Sequence, residues 1–256
     1  MYDNSNTVKK SFDLSYLTPC LQQAQWAELI ELKKIVSSLA RQQQRPISIF
    51  DIGVGNARVP INLSGVNEIW DAIVQYDGTD NAPACITIAT ANIQQLNIAD
   101  KVAVYLLEAA NINSWQKKYD LVICTWFTPG NFYPDNFSFE KYATATDRLD
   151  LSNNEKFTAI FKNAYDLLKP GGKLVLGACY LANDNTRLKQ EAAYKKMGMH
   201  IITSPEDSFT ATREGFWSQR FTPQQLLHYL NFVAADKISF IPLDTYDYAM
   251  QVVIDK

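Results

Sequence analysis

Apolar positions recur along this chain with two different spacings, and their alternation predicts the elements. Trp26, Leu29, Ile30, Leu32, Ile35, Val36 and Leu39 fall at mostly three- and four-residue steps, so residues 18–44 read as a helix. Thr18 suits its N-cap, Pro19 its first turn, and Pro46 closes it. Residues 1–17 show no such period and read as irregular. Ile47, Ile49, Phe50 and Ile52 then form a short apolar run that suits a buried strand, with a helix from about Arg58. Further strands are expected over residues 72–76, 102–107, 119–125 and 173–177. Between them, Ile86, Ala89, Ile93 and Leu96 mark a helix over residues 82–97. Phe157, Ile160, Phe161, Ala164, Leu167 and Leu168 mark another. Five apolar strands alternating with helices predict a mostly parallel sheet covered on both faces.

The tail differs in kind. Thr222-Pro223 opens a helix that runs through His228 to about Phe232, and strands follow over residues 237–241 and 248–254. Residues 242–247 are too short a link for a parallel crossover, so the last strand is expected to run antiparallel. No repeat or linker divides residues 1–256, which read as one domain with a helical cap at 1–46 and a core at 47–256. Two segments look inserted into that core, near 129–154 and 182–221.

Composition narrows the classes. With 256 residues, 47 % of them hydrophobic, the chain can bury a full core. A net charge of −3 gives no global attraction to phosphate backbones, so nucleic acid is not an expected partner. No apolar run approaches the roughly 18 residues that span a bilayer, and the polar start is unlike a signal peptide. Cys20, Cys85, Cys124 and Cys179 are scattered without a CxxC pair, which fits a reducing cytoplasm. His200 and His228 neighbour no cysteine, and no metal is expected.

The candidate chemistry begins at residues 48–60, SIFDIGVGNARVP. A strand ending near Asp51 runs into Gly53 and Gly55, and glycine lets a ligand lie against the main chain. The helix start that follows supplies free N–H groups. Such a turn alone also serves plain packing. Four more stretches follow in order: Asp80-Asn81-Ala82-Pro83, Leu107-Glu108-Ala109, the strand Tyr119–Cys124 with its exit Thr125-Trp126-Phe127-Thr128, and Leu167-Leu168-Lys169-Pro170-Gly171-Gly172-Lys173-Leu174.

Together these five stretches and the closing hairpin resemble the class I S-adenosylmethionine-dependent methyltransferases, over about residues 48–254. The resemblance implies a Rossmann-like α/β fold: a seven-stranded, mostly parallel sheet with an antiparallel last strand, helices on both faces and an N-terminal helical cap. It implies S-adenosyl-L-methionine as cofactor, leaving S-adenosyl-L-homocysteine. The first motif matches Asp51, Gly53, Val54, Gly55, Asn56 and Arg58, with Ala57 where the family carries a third glycine. Asp80, followed by Asn81, matches the acid that accepts hydrogen bonds from the ribose hydroxyls, and Asp77 is its rival. Glu108 and Ala109 match the adenine contacts, and Thr125 and Trp126 would lie beside the methyl group.

The resemblance assigns no catalytic residue. Substrate contacts are expected from Phe132, Tyr133 and Tyr142 in the first insertion, which also holds Phe137, Phe139, Asp135 and Glu140. Aromatic rings beside carboxylates suit a cationic amine, although the same rings also suit anchoring of the loop. Trp217 in the second insertion, with Arg213 nearby, is expected to form part of a lid opposite Tyr16 and Trp26. His200 and His228 read as surface or packing residues. The expected reaction is in-line methyl transfer to oxygen or nitrogen of a small-molecule acceptor. A macromolecular (RNA or protein) methyltransferase is the alternative, but no DPPY or NPPY follows the fourth strand, so the pattern for a flipped adenine is missing. A non-catalytic S-adenosylmethionine-binding protein is the other.

Overall fold

Neighbouring residues of the central strands face opposite sides of one sheet, and each side has its own core. The computed structural model describes residues 17–142, 148–243 and 247–256. Helix α1 (Pro19–Gln43) starts where Thr18 Oγ1 accepts the Leu21 N–H and leads into β1 (Ile47–Ile52). Then come α2 (Arg58–Ser64), α3 (Asn67–Asp71), β2 (Ile73–Asp80), α4 (Pro83–Gln95), β3 (Val102–Leu106) and β4 (Tyr119–Cys124). On one face Leu32, Val36 and Leu39 of α1 and Ala89 and Ile93 of α4 pack with Ile49, Leu121 and Ile123. On the other, Phe157, Ile160 and Phe161 of α6 (Glu155–Asp166) pack with Phe50, Val122 and Cys124. This is the two-residue alternation of strands, buried twice over.

Strand β5 (Leu168–Leu181) lies beside β4, and the chain ends in β8 (Ile238–Pro242) and β9 (Ala249–Asp255). The path β3-β2-β1-β4-β5-β9-β8 contains the seven expected strands, and β9 runs antiparallel to both its neighbours. The sheet has two strands more. Residues 182–221, expected as an insertion, fold into α7 (Asp184–Lys196), β6 (Phe209–Ala211) and β7 (Trp217–Phe221). Strand β7 pairs in parallel with the end of β5, Tyr180 opposite Arg220, so the sheet has nine strands. The other insertion holds a 3₁₀ turn (Thr128–Asn131) and the short helix α5 (Phe139–Tyr142). Helix α8 (Pro223–Tyr229) packs Leu226 and Tyr229 against the α6 face.

Two strand limits move from expectation. Strand β2 does not stop before Asp77-Gly78-Thr79-Asp80, because those residues pair on one side with β1 and on the other with β3. Strand β5 begins before the Pro-Gly-Gly stretch, which interrupts the pairing with β4 between Leu168 and Lys173, hydrogen-bonds to Lys256 at the chain end and bends at Gly171, φ +73°. No described helix is long and apolar enough to cross a membrane.

Candidate active site

The chain leaves β1 toward β2 and β3 on one side, then returns to place β4 on the other. At that switch point, outside the carboxyl ends of the strands, an α/β sheet leaves a crevice. Here it is a cleft of about 350 Å³. Its floor is Ile52–Gly55, one wall Thr79–Pro83 and Leu107–Ala109, and the other Thr125, Trp126 and Thr128. Beyond Trp126 it continues past Asn131, Phe132, Tyr133, Lys156, Gly215 and Trp217.

The glycine turn is held from beneath. The N–H groups of Gly53 and Val54 both donate to the Thr79 carbonyl at 2.8 Å. Gly53 has φ +78°, and a Cβ there would stand 2.7 Å from Thr128 Cγ2, so only glycine fits. Ala57, where the motif has glycine, is itself left-handed at φ +66°. Its methyl group costs about 1–2 kcal/mol of backbone strain there and is fully buried.

Asp80 closes the turn. Its Oδ2 accepts the Gly55 N–H at 3.0 Å and its Oδ1 the Ala82 N–H at 2.9 Å. Burial raises its pKa, and these backbone donors pull it back. A carboxylate can accept about four hydrogen bonds, so Asp80 keeps acceptor capacity beyond its backbone donors. Asp77 does not line the cleft; Gln75, Tyr119 and Lys117 all donate to its Oδ2. Next along the wall, the Asn81 amide donates to Glu108 Oε2 at 3.0 Å.

Asp51 and Asn56, expected with the cofactor set, do not line the cleft. Asp51 is 1 % exposed and accepts the Tyr76 hydroxyl at 2.5 Å, and its Oδ1 is buried without a partner among the described residues. Burial pushes its carboxyl up to about 7, against the opposing pull of the Tyr76 hydrogen bond and the Arg58 charge. Asn56 gives its carbonyl to the Asn92 amide at 3.0 Å.

The exit from β4 is strained. Trp126 and Phe127 are successive left-handed residues, φ +55° and +60°, a costly pair for aromatic side chains. Glu28, fully buried on α1, holds them there: its Oε1 accepts the Trp126 N–H at 2.7 Å and the Ala178 N–H at 2.8 Å. Its Oε2 pairs with Arg58 Nη2 at 2.5 Å, and the Arg58 guanidinium lies 5.1 Å from the Trp126 ring centroid. Phe127 stacks on Tyr180 at 3.7 Å. Arg58 lines the cleft, and its Nη1 is buried with no hydrogen-bond partner among the described residues.

Of the expected substrate residues, Phe132, Tyr133 and Trp217 line the cleft. Tyr142 does not; its ring packs on Phe137 and Phe209 at 5.5 and 5.3 Å, so it anchors the loop. Tyr16 lies outside the described residues. Trp26 and Arg213 are exposed and do not line it. Asp135 and Glu140 are also exposed and do not line it, which removes the carboxylates expected around a cationic amine. His200 pairs with Glu214 and His228 with Asn153, both at the surface. Sequence reasoning missed Glu28 and Lys156. Glu28 had a signal: with Leu21, Ala24 and Leu32 it shares the buried stripe of α1, where an acid needs a partner.

No family model matches the sequence, and no curated protein does. Solved structures do. A magnesium protoporphyrin IX methyltransferase from Synechocystis with bound S-adenosylhomocysteine matches over 94 % of this chain and 88 % of its own, with 13 % identity and TM-score 0.56. The CcbJ methyltransferase of Streptomyces caelestis matches over 87 % of each chain, with 13 % identity and TM-score 0.56. An S-adenosylmethionine-dependent methyltransferase from Clostridium acetobutylicum matches over 98 % of this chain and 96 % of its own, with 11 % identity and TM-score 0.56. This chain has the Rossmann-like fold of the class I methyltransferases.

Proposed function

We propose that this protein is an S-adenosylmethionine-dependent methyltransferase that passes a methyl group to oxygen or nitrogen of a small-molecule acceptor. The observation that carries the reading is Asp80 at the cleft, ending β2 and clasping the glycine turn that follows β1. The fold adds support, since one of the similar structures holds S-adenosylhomocysteine.

The residues present fit such a cofactor. Asp80 offers free acceptor lone pairs toward ribose hydroxyls. Gly53 and Gly55 add no side chain to the floor, so a ligand can lie against the main chain there. Arg58 Nη1, buried and unpaired, is a donor suited to a carboxylate such as that of the methionine part. When bound, the cofactor supplies a methyl group already activated on a positive sulfur. The chain's own task is then to hold the acceptor in line and to exclude water. Positioning of that kind is worth up to about 7–11 kcal/mol. Trp126, set by Glu28 and covered by Arg58, stands between the two halves of the cleft and fixes where the acceptor ends.

Calorimetry with S-adenosylhomocysteine tests the cofactor reading, and radiolabelled methyl transfer to metabolite fractions tests the reaction. The folded wild type should bind one equivalent. Asp80→Ala should bind about 10- to 100-fold more weakly, as for loss of charged hydrogen bonds of about 1.5–3 kcal/mol. No binding by the wild type overturns the reading. Transfer only to RNA or protein overturns the small-molecule acceptor, and binding without transfer to any fraction leaves a non-catalytic protein.

A further inference from the structure

The cleft beyond Trp126 has a sign of charge opposite to the one its sequence suggests. The inserted segment carries Asp135 and Glu140 among its aromatic residues, yet neither reaches the lining. The charged side chain that does is Lys156, from the first turn of α6. Its ammonium lies 5.2 Å from the Tyr133 ring centroid, and its side chain is 25 % exposed. Asp135 Oδ1 stands 3.2 Å from it, but Asp135 is 83 % exposed, and water screens such a pair. Arg58, at the boundary, is already neutralised by Glu28. The acids of the lining, Asp80 and Glu108, belong to the other half, at the ends of β2 and β3. Among the described residues, the acceptor half is therefore electropositive.

A second observation points the same way. Trp217 lines this half and is 1 % exposed, and its indole Nε1 is buried with no hydrogen-bond partner among the described residues. An indole N–H can only donate. Left unmatched in the interior it costs free energy, so the site is short of an acceptor atom. The remaining walls are flat: Trp126, Phe132 and Tyr133 present rings, and Trp217 is held by stacking on Phe209 at 3.9 Å. A rigid aromatic slot favours a planar ligand.

Resting on the methyltransferase reading, we propose that the acceptor is a planar aromatic carboxylic acid, its carboxylate received by Lys156 and the Trp217 indole N–H. A cationic amine would meet like charge there and leave the indole unpaired. Nothing in this assignment requires the carboxylate itself to be the atom methylated.

The test uses the full chain saturated with S-adenosylhomocysteine, titrated with three isosteric probes: 2-naphthoate, 2-naphthamide and 2-(aminomethyl)naphthalene. The acid should bind at least 10-fold more tightly than the amide, and the amine should bind most weakly. Lys156→Gln should lower affinity for the acid at least 10-fold, leaving the amide and S-adenosylhomocysteine unchanged. Trp217→Phe, which keeps the stacked ring, should weaken the acid several-fold. Tightest binding by the amine, equal binding of acid and amide, absence of binding by all three, or an unaltered acid affinity in Lys156→Gln overturns the proposal. The S-adenosylhomocysteine titration is run first on the wild type, so its failure marks failure of the methyltransferase reading rather than of the acceptor class.

Discussion

Asp51 is a carboxyl group kept from water, and its consequence is a dependence of stability on pH. In the unfolded chain it titrates near 3.9, whereas in the folded chain burial pushes it up to about 7. Between those values the unfolded chain has released its proton and the folded chain has kept it. The contribution of this group is therefore full below about pH 4, falls as pH rises to about 7, and is level above, with a slope of at most about 1.4 kcal/mol per pH unit. Asp51→Asn has no proton to lose, so its thermal midpoint should vary less than the wild type's between pH 5 and 8. Parallel curves for the two proteins would show that Asp51 ionises as an exposed acid does. The cleft residues that the family resemblance picked out, such as Gly53, Gly55, Asp80 and Glu108, sit at strand ends, where a local pattern reports position. Lys156 was not legible this way. It reaches the cleft because the Asn154 side chain caps α6 and also donates to the Phe132 carbonyl, a contact between segments that no local pattern records.

At the scale of elements, α1 and β5 meet at a joint with no slack. A Cβ on Gly177 would overlap Glu28 Oε1 and stand 2.7 Å from the Thr125 Cα. The second contact is backbone and cannot turn aside. Gly177→Ala should cost about 1–3 kcal/mol, the usual range for overpacking, and should also weaken S-adenosylhomocysteine by displacing the strained Trp126. An unchanged urea midpoint would show that the joint yields. The same scale explains which elements were hidden. Apolar strands β1 to β5, β8 and β9 announced themselves, but β7 reads WSQRF and buries Ser218, Gln219 and Arg220. Arg220 is interior because Gln190, Thr210 and the carbonyls of Asp207 and Phe209 all accept from its guanidinium. A strand that buries polar side chains such as these has no apolar alternation to betray it.

For the molecule as a whole, α1 is part of the core rather than an appendage to it. Leu29, Leu32, Val36 and Leu39 are all buried, each worth about 1.5–3 kcal/mol, a sum comparable to the whole net stability of about 5–15 kcal/mol for a domain. Removing α1 also strips Arg58 of its carboxylate and leaves a buried charge unpaired. Residues 47–256 expressed alone should be insoluble or fail to bind S-adenosylhomocysteine, and a peptide of residues 17–45 added during refolding should restore a binding fraction. A soluble, binding-competent fragment would show that the helix is dispensable.

Glu28 also imposes an order in time. Its amide partners lie 98 and 150 residues further along, so a nascent chain makes the acid first and its last partner much later. Until that strand has left the ribosome, the acid in the oily stripe of the first helix can meet Arg58 but lacks its last amide donor. The first helix must therefore wait, incompletely latched, while the 150 residues between Glu28 and Ala178 are made, and the fold closes backward onto it.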